Sequence, residues 1–94
     1  MIDYETRCRT YLNALLEYGG DFQMIVALEE LSEAQKEICK CLRGIGNLDH
    51  LAEEIADARI MLEQVTEIHQ IGELGPTKMD EKIRRLDRRL RGEG

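Results

Sequence analysis

The sequence predicts an all-α protein, an antiparallel bundle of about four helices in a single domain spanning residues 1–94. Apolar residues recur three and four positions apart over most of the chain, which is the spacing of a helix with one apolar face. Glycines interrupt this pattern, and no stretch alternates between apolar and polar residues as a half-buried strand does. The short connections predict that successive helices are antiparallel neighbours.

The first helix is predicted over about residues 4–18, because Gly19 and Gly20 follow it and glycine readily adopts the left-handed conformation that ends a helix. Asp21 is a suitable N-cap for the second helix, predicted at about 22–43. The apolar stripe of this helix consists of Met24, Leu28, Leu31, Ile38 and Leu42, widened by Ala27, Ala34 and Cys41.

The third helix is predicted at about 48–71, with Asn47 as its N-cap. Its apolar residues follow a regular spacing of three and four, which predicts a bundle seam: Leu48, Leu51, Ile55, Ala58, Leu62 and Val65. A break at 72–76 follows, and Pro76 suits the first turn of a basic terminal helix at about 76–91. The stripe of this last helix is Met79, Ile83, Leu86 and Leu90.

The size of the chain predicts self-association. A protein of 94 residues buries only about two-thirds of its unfolded surface. Four short apolar stripes make a thin core, so we expect a homodimer or a homotetramer built as a dimer of dimers.

The composition is typical of a folded domain and predicts a cytoplasmic protein. Hydrophobic residues make up 43% of the chain and charged residues 34%, with no tryptophan and one proline. No apolar run approaches the roughly 20 residues that span a bilayer, and the N-terminus lacks the pattern of a secretion signal. Because Cys8, Cys39 and Cys41 are odd in number and unsuitably spaced, neither a disulfide framework nor a zinc site is indicated.

The net charge of −6 is unevenly distributed along the chain. Residues 1–75 contain six Lys/Arg against fifteen Asp/Glu, whereas residues 76–94 contain seven against four. An acidic body argues against nonspecific binding of nucleic acid, which needs a cationic face to displace counterions. The basic segment at residues 76–94 keeps nucleic-acid binding as a weaker alternative.

Two acidic pairs are the strongest functional signal. Among the nineteen acidic residues, only Glu30 with Glu33 and Glu54 with Asp57 lie three positions apart. Each pair points two carboxylates from one face of a long helix, and antiparallel packing would let the pairs meet. Four converging carboxylates repel one another unless a cation neutralises them.

The type of ligand predicts the type of metal. All-oxygen ligation favours Mg²⁺, or alternatively Mn²⁺, over zinc, copper or iron. A ferritin-like di-iron site is not indicated, since neither His50 nor His69 follows a glutamate by three residues. Mg²⁺ keeps several waters and accepts substrate phosphates as further ligands. The alternative is that these carboxylates form an ordinary solvated face, although only Lys36 and Lys40 would then offset the repulsion between acidic i,i+4 neighbours on the second helix.

The acidic stretches "EELSE" and "EEIAD" resemble the signature of the MazG-type all-α nucleoside triphosphate pyrophosphohydrolases, E-x-x-E, a spacer and E-x-x-D. Here the signature is Glu30-x-x-Glu33 and Glu54-x-x-Asp57, with twenty residues between Glu33 and Glu54. The resemblance extends from "GGDFQMIVALEELSEAQKE" through "CLRGIGNLDHLAEEIADARIMLEQV" to "EKIRRLDRRL", about three-quarters of the chain. It is closest to the compact MazG-like proteins of bacteria and phages.

This resemblance implies hydrolysis of a nucleoside triphosphate, or its deoxy form, to the monophosphate and pyrophosphate, often in removing noncanonical nucleotides from the pool. The catalytic and Mg²⁺-binding residues would then be Glu30, Glu33, Glu54 and Asp57. One of the glutamates, with Glu33 the first candidate, would also take the proton of the attacking water.

The resemblance also implies residues that bind the substrate. The family pairs its acidic helices with basic side chains that contact phosphate, and the candidates here are Lys40, Arg43, Lys82 and Arg85. Gln23 stands where compact relatives often have a glutamine that contacts the base or ribose.

The chain departs from many relatives in having Tyr18, rather than tryptophan, before the glycines, which leaves the base pocket undefined. Tyr11, Tyr18 and Phe22 are the aromatic candidates for stacking on a base, and core packing is the alternative for each. The competing hypothesis for the whole chain is a noncatalytic helical interaction protein whose basic terminal helix binds nucleic acid or an acidic partner.

Overall fold

The computed structural model describes residues 1–93, which form four α-helices and no strand. The helices are α1 (Tyr4–Tyr18), α2 (Gly20–Leu42), α3 (Leu48–Ile68) and α4 (Leu74–Leu90). The all-α prediction is confirmed, and the first helix has the predicted bounds. Across residues 1–93, none of the helices combines the length and the apolar character needed to cross a membrane.

The start of α2 differs from the prediction. The helix begins at Gly20, and its N-cap is Gly19, with φ +85°, so Asp21 lies in the first turn and does not cap it. A positive φ is readily accessible to glycine and strained for residues with a Cβ. Gly19 therefore lets α2 follow α1 with no intervening loop.

The turn between α2 and α3 is formed by a left-handed glycine and a side-chain cap. Gly44, with φ +76°, donates its backbone N–H to the Cys41 carbonyl at 3.1 Å, which closes the end of α2. The Asn47 side chain accepts hydrogen bonds from the backbone N–H groups of Asp49 and His50, at 2.9 and 3.1 Å. The prediction that Asn47 caps the third helix is confirmed.

The last two helix boundaries are also shifted from the predicted positions. The third helix ends at Ile68 rather than near residue 71, and α4 begins at Leu74, so that Pro76 is still within its first turn. Pro76 is tolerated there because the first turn of a helix leaves its backbone N–H groups without intrahelical acceptors.

The pair formed by α2 and α3 is an antiparallel hairpin. At its open end, a Cβ added to Gly20 would lie 3.8 Å from Ile68 Cγ2. Nearer the turn, Glu30 meets Glu54 and Asp57. Residue numbers rise along one helix as they fall along the other, and this register positions the acidic residues.

The buried seam of the hairpin matches the predicted one in its alanines, Ala27, Ala34 and Ala58, but not in its larger residues. It consists of three alanines, one methionine and three polar residues: Gln23, Ala27, Ala34 and Glu37 of α2 with Ala58, Met61 and Gln64 of α3. Most of the large apolar residues predicted to fill it are exposed, with Leu42 at 84% and Leu48 at 78%, whereas Met24, Leu51 and Val65 are half-buried. The three alanines in the seam suit a close approach of the two helices.

The exposed apolar residues form one face of the hairpin. On α2 the predicted stripe lies one residue beyond the seam, as Leu28 follows Ala27, and on α3 Leu62 likewise follows Met61. One residue is about 100° of rotation. Because the helices are antiparallel and both stripes are rotated in the same sense, the stripes lie on the same side. A monomer would leave this apolar face in water.

The first helix packs on the hairpin, whereas the last does not. Arg7 and Tyr11 of α1 contact Glu63 of α3. Within residues 1–93, α4 packs against no other helix. The expectation that successive helices are antiparallel neighbours therefore holds for α2 and α3 but not for α3 and α4.

Candidate metal centre

Three carboxylates converge where the two long helices face each other. Oxygen atoms of Glu30 on α2 and of Glu54 and Asp57 on α3 all lie within 4.8 Å of one another. The spacing of three residues puts Glu54 and Asp57 on one face of α3, and the hairpin register brings Glu30 opposite them. Glu30 and Glu54 are half-buried, whereas Asp57 is exposed.

Glu33 borders this group without joining it. Its side chain is exposed, and it is not among the three carboxylates that approach within 4.8 Å. It is still close enough for its charge to raise the pKa of both Glu30 and Glu54. The structure thus brings three of the four predicted ligands together and leaves Glu33 at the edge.

The electrostatics of the centre are unfavourable for the protein alone. Burial raises the pKa of Glu30 above its ordinary value, and the neighbouring charges of Asp57 and Glu54 raise it further. Burial and the charges of Asp57 and Glu33 raise the pKa of Glu54 in the same way. In residues 1–93, no Lys, Arg or His side chain forms an ion pair with any of the three converging carboxylates.

The geometry fits a hard divalent cation. Two oxygens on opposite sides of one Mg²⁺ ion lie about 4 Å apart, since each Mg–O distance is about 2.1 Å. The oxygens of the centre are within 4.8 Å of one another, so small side-chain rotations can bring them onto one ion. A ligand set of carboxylates from two helices also leaves positions for water or phosphate.

The predicted phosphate-binding cations occupy different positions. Lys40 Nζ lies 3.3 Å from Glu37 Oε1, so this lysine is already paired. Arg43 is the exposed C-cap of α2 and has no ion pair among the described residues. Lys82 and Arg85 lie on α4, which does not pack on the hairpin.

Gln23, the predicted contact to base or ribose, is buried in the seam. Its Oε1 atom has no hydrogen-bond partner. Oε1 of Gln64 also has no hydrogen-bond partner, and Gln64 was not among the predicted site residues. The signal for Gln64 is its position on the face of α3 that carries Asp57 and Met61, at a spacing of four and three.

Two of the cavities between α1 and α3 are large enough for a small molecule, and they lie beside the acidic centre rather than at it. The larger, of about 700 Å³, is lined by residues that include Tyr4, Arg7, Tyr11 and Glu67. A cavity of about 440 Å³ extends from Ala56, the neighbour of Asp57, towards Glu63 and Gln64. These volumes are in the range of small-molecule sites.

The predicted aromatic residues lie at two places. Tyr11 donates a hydrogen bond to Glu63, and burial together with this hydrogen bond raises the pKa of Tyr11 to about 12. The rings of Tyr18 and Phe22 are 5.7 Å apart and tilted by 34°, and both side chains are more than half exposed.

In comparisons with known proteins, no family model matches the chain, and no curated protein or solved structure matches it.

Proposed function

We propose that this protein is a Mg²⁺-dependent nucleoside triphosphate pyrophosphohydrolase of the MazG-like type. It would cleave an NTP or dNTP to the monophosphate and pyrophosphate and serve nucleotide-pool house-cleaning in the cytoplasm. The observation that carries the proposal is the convergence of Glu30, Glu54 and Asp57 from two facing helices. Their mutual repulsion, without an ion pair to offset it, is relieved by a divalent cation.

Each acidic residue has a role in this proposal. Glu30, Glu54 and Asp57 hold the metal, with Glu33 as a further ligand contributed from the edge of the centre. Bound Mg²⁺ would supply a positive charge that orients the triphosphate and lowers the pKa of a water; Mn²⁺ is the alternative ion. Glu33 is exposed beside the centre and is our candidate for accepting the proton of that water.

Self-association is part of the proposal. The apolar face of the hairpin, with Leu28, Leu31, Ile55 and Leu62 each at least 39% exposed, needs a cover. A second copy presents the same face, so a two-fold symmetric homodimer can bury both at once. A dimer of dimers would extend the assembly to a homotetramer.

A second candidate function rests on α4. This helix is basic and packs on no other part of the described chain, as expected of a segment that binds a partner. A noncatalytic interaction protein could use it on nucleic acid or an acidic protein. The unpaired carboxylates of the hairpin have no role in that function, which is why we prefer the enzyme.

The test is release of pyrophosphate from a panel of NTPs and dNTPs, with and without Mg²⁺. Glu30→Gln and Glu54→Gln should lower metal-dependent activity by at least about 100-fold, since even outer partners of a metal site matter by 10–100-fold. Glu53→Gln is the matched control, because Glu53 is exposed beside Glu54 but outside the converging group.

If no nucleotide yields metal-dependent pyrophosphate, the enzymatic proposal is wrong. Salt-sensitive binding to duplex DNA that disappears when residues 76–94 are removed would favour the interaction protein instead.

A further inference from the structure

The last helix has an apolar stripe that its own chain leaves uncovered within residues 1–93. Its four apolar residues are each more than half exposed: Met79, Ile83, Leu86 and Leu90. No other helix of the described chain packs against α4. An isolated helix of 17 residues is only marginally stable in water, so the stripe needs a cover from outside the chain.

The spacing of this stripe is that of a coiled coil. Its residues lie four, three and four positions apart, as do positions a and d of a heptad repeat abcdefg. Ile83 and Leu90 then occupy position a, and Met79 and Leu86 occupy position d. Among parallel coiled coils, isoleucine at a with leucine at d favours two strands, and Ile83 with Leu86 follows this rule.

The charges that border the stripe are sorted by side. Position e carries Asp80 and Asp87, and position g carries Lys82 and Arg89. Side chains at e and g meet across the interface of a coiled coil and set the partner and its orientation. Carboxylates therefore line one edge of the stripe, and cations line the other.

This arrangement of charge favours a parallel pair of identical helices. In such a pair Lys82 lies beside Asp87 of the second copy, and two-fold symmetry makes the contact twice. Lys82 forms no ion pair within residues 1–93. Asp87 Oδ2 lies 2.9 Å from Arg91 of its own helix, which leaves Oδ1 to accept the lysine.

Other occupants of the stripe would meet like charges. In an antiparallel pair position g faces g and position e faces e, so Lys82 would lie beside Arg89 of the second copy. Asp80 would likewise lie beside Asp87, and such contacts between like charges destabilise the pairing. On an anionic lipid surface the two aspartates, next to the apolar stripe, would face the headgroups. The charge pattern thus selects α4 of a second copy, in parallel.

We propose that α4 pairs with α4 of a second copy as a parallel two-stranded coiled coil, with the apolar stripe as its seam and Lys82 in contact with Asp87 between the chains. A seam of about two heptads is weak by itself. Residues 69–73 join α3 to α4, and a short tether of this kind keeps the α4 helices of a hairpin dimer at an effective concentration on the order of millimolar. The inference rests on the self-association within the proposed function and not on its chemistry.

Disulfide formation tests the parallel register. In a parallel pair, position 79 of one chain lies beside position 79 of the other, so two copies of Met79→Cys should link in a glutathione redox buffer, as a disulfide needs Cα atoms within about 7 Å. In an antiparallel pair Met79 would lie beside Leu90, about 16 Å from the other Met79 at 1.5 Å per residue. Mass spectrometry of the linked peptides separates this link from any formed by the native cysteines. Arg88→Cys, at position f on the outer side of the pair, is the matched control and should give no link.

Charge reversal tests the contact between Lys82 and Asp87. In the Met79→Cys background, either Lys82→Asp or Asp87→Lys turns two attractive contacts into repulsive ones, which should lower the effective concentration of the two thiols about tenfold. Mixing the two variants restores opposite charges between the chains, so links should form between different variants in preference to links within either. In an antiparallel pair each single reversal would strengthen the pairing, and that result would overturn the proposal.

A matched control for charge lies on the outer side of the pair. Arg88→Asp makes the same change of charge as Lys82→Asp but at position f, so the effective concentration of the thiols should stay within about twofold, as is usual for surface substitutions. An equal loss in both variants would reject the contact between Lys82 and Asp87 and indicate a general effect of charge.

Neither readout requires a nucleotide, so the outcomes separate the two proposals. Met79→Cys links in a protein that hydrolyses no nucleotide would keep the α4 pairing and reject the pyrophosphohydrolase. A protein that sediments as a dimer without these links would overturn the pairing alone, and a monomer would overturn both the pairing and the proposed self-association. Binding of α4 to duplex DNA or to anionic vesicles in place of the links would also overturn the pairing.

Discussion

Lys40 Nζ lies 3.3 Å from Glu37 Oε1, one turn away on α2, and Glu37 is buried in the seam of the hairpin. The charge of Glu37 also contributes to the raised pKa of Glu54. This ion pair therefore neutralises a carboxylate that borders the acidic centre. If Lys40 also binds phosphate, as the proposed function expects, it must be shared between Glu37 and the triphosphate.

Loss of the lysine charge should destabilise the hairpin. Lys40→Met keeps most of the side-chain volume but leaves the Glu37 carboxylate buried without its partner. We expect the free energy of unfolding to fall by about 1–2 kcal/mol, measured by urea denaturation. Adding Glu37→Gln should recover part of that loss, because the unpaired charge is then absent. If the two substitutions are simply additive, the pair does not contribute as an ion pair.

Removal of one carboxylate from the centre should have opposite effects with and without metal. Without Mg²⁺, Glu54→Gln should melt at a higher temperature than wild type, because repulsion from Glu30 and Asp57 is relieved. With Mg²⁺, wild type should gain stability, by about 2.7 kcal/mol at a concentration 100 times the dissociation constant, and the variant should gain little. Differential scanning calorimetry of both proteins, with Glu53→Gln as control, would contradict this if the variant showed the wild-type metal shift.

The loss of folding stability that the acidic centre causes in the metal-free protein should depend on pH. Since the pKa values of Glu30 and Glu54 are raised in the folded protein, the folded state binds more protons than the unfolded state between the ordinary value of 4.5 and the raised values. Stability of the metal-free protein should therefore be lost as the pH rises through that window. Below about pH 4.5 the difference in melting temperature between wild type and Glu30→Gln/Glu54→Gln should vanish. A difference in melting temperature that grows as the pH is lowered would contradict this prediction.

The contact between Tyr11 and Glu63 should be visible at high pH. Because the pKa of Tyr11 is raised to about 12, the unfolded chain ionises first, and stability should fall as the pH rises from about 10 to 12. Tyr11→Phe should remove this dependence and cost about 1–2 kcal/mol at neutral pH, where Glu63 loses one of its two donors and keeps only Arg7. In an ultraviolet titration of tyrosinate, Tyr11→Phe should show one fewer tyrosine that ionises at high pH than wild type does. A wild-type titration in which all tyrosines ionise near pH 10 would contradict the contact.

Much of the secondary structure follows from local chemistry. Glycines at 19 and 44 end helices because their positive φ values suit residues without a Cβ, and Asn47 starts one because its side chain reaches two backbone N–H groups. The convergence of Glu30 with Glu54 and Asp57 could be expected from spacing and an antiparallel turn, as these need no knowledge of side-chain packing.

The side of each helix that is buried could not be read from periodicity. The prediction assigned the large apolar residues to the seam together with alanines, whereas the structure keeps the alanines there, adds Gln23 and Glu37, and leaves Leu28 exposed. Apolar spacing identifies a face that avoids water but does not say whether its cover comes from the same chain or another. Polar seam residues such as Gln64 give no hydrophobic signal at all.

The sequence by itself determined the all-α class, most helix ends and the acidic residues that can meet, because capping, glycine conformation and helical spacing act over a few neighbouring residues. Only the tertiary structure decided that Glu33 lies at the edge of the centre, that Lys40 is paired with Glu37 and that α4 packs on no other helix within residues 1–93. These outcomes depend on which surfaces of separate helices approach most closely. In the hairpin seam, alanines, Met61 and polar side chains are buried, and most of the larger apolar residues face outward.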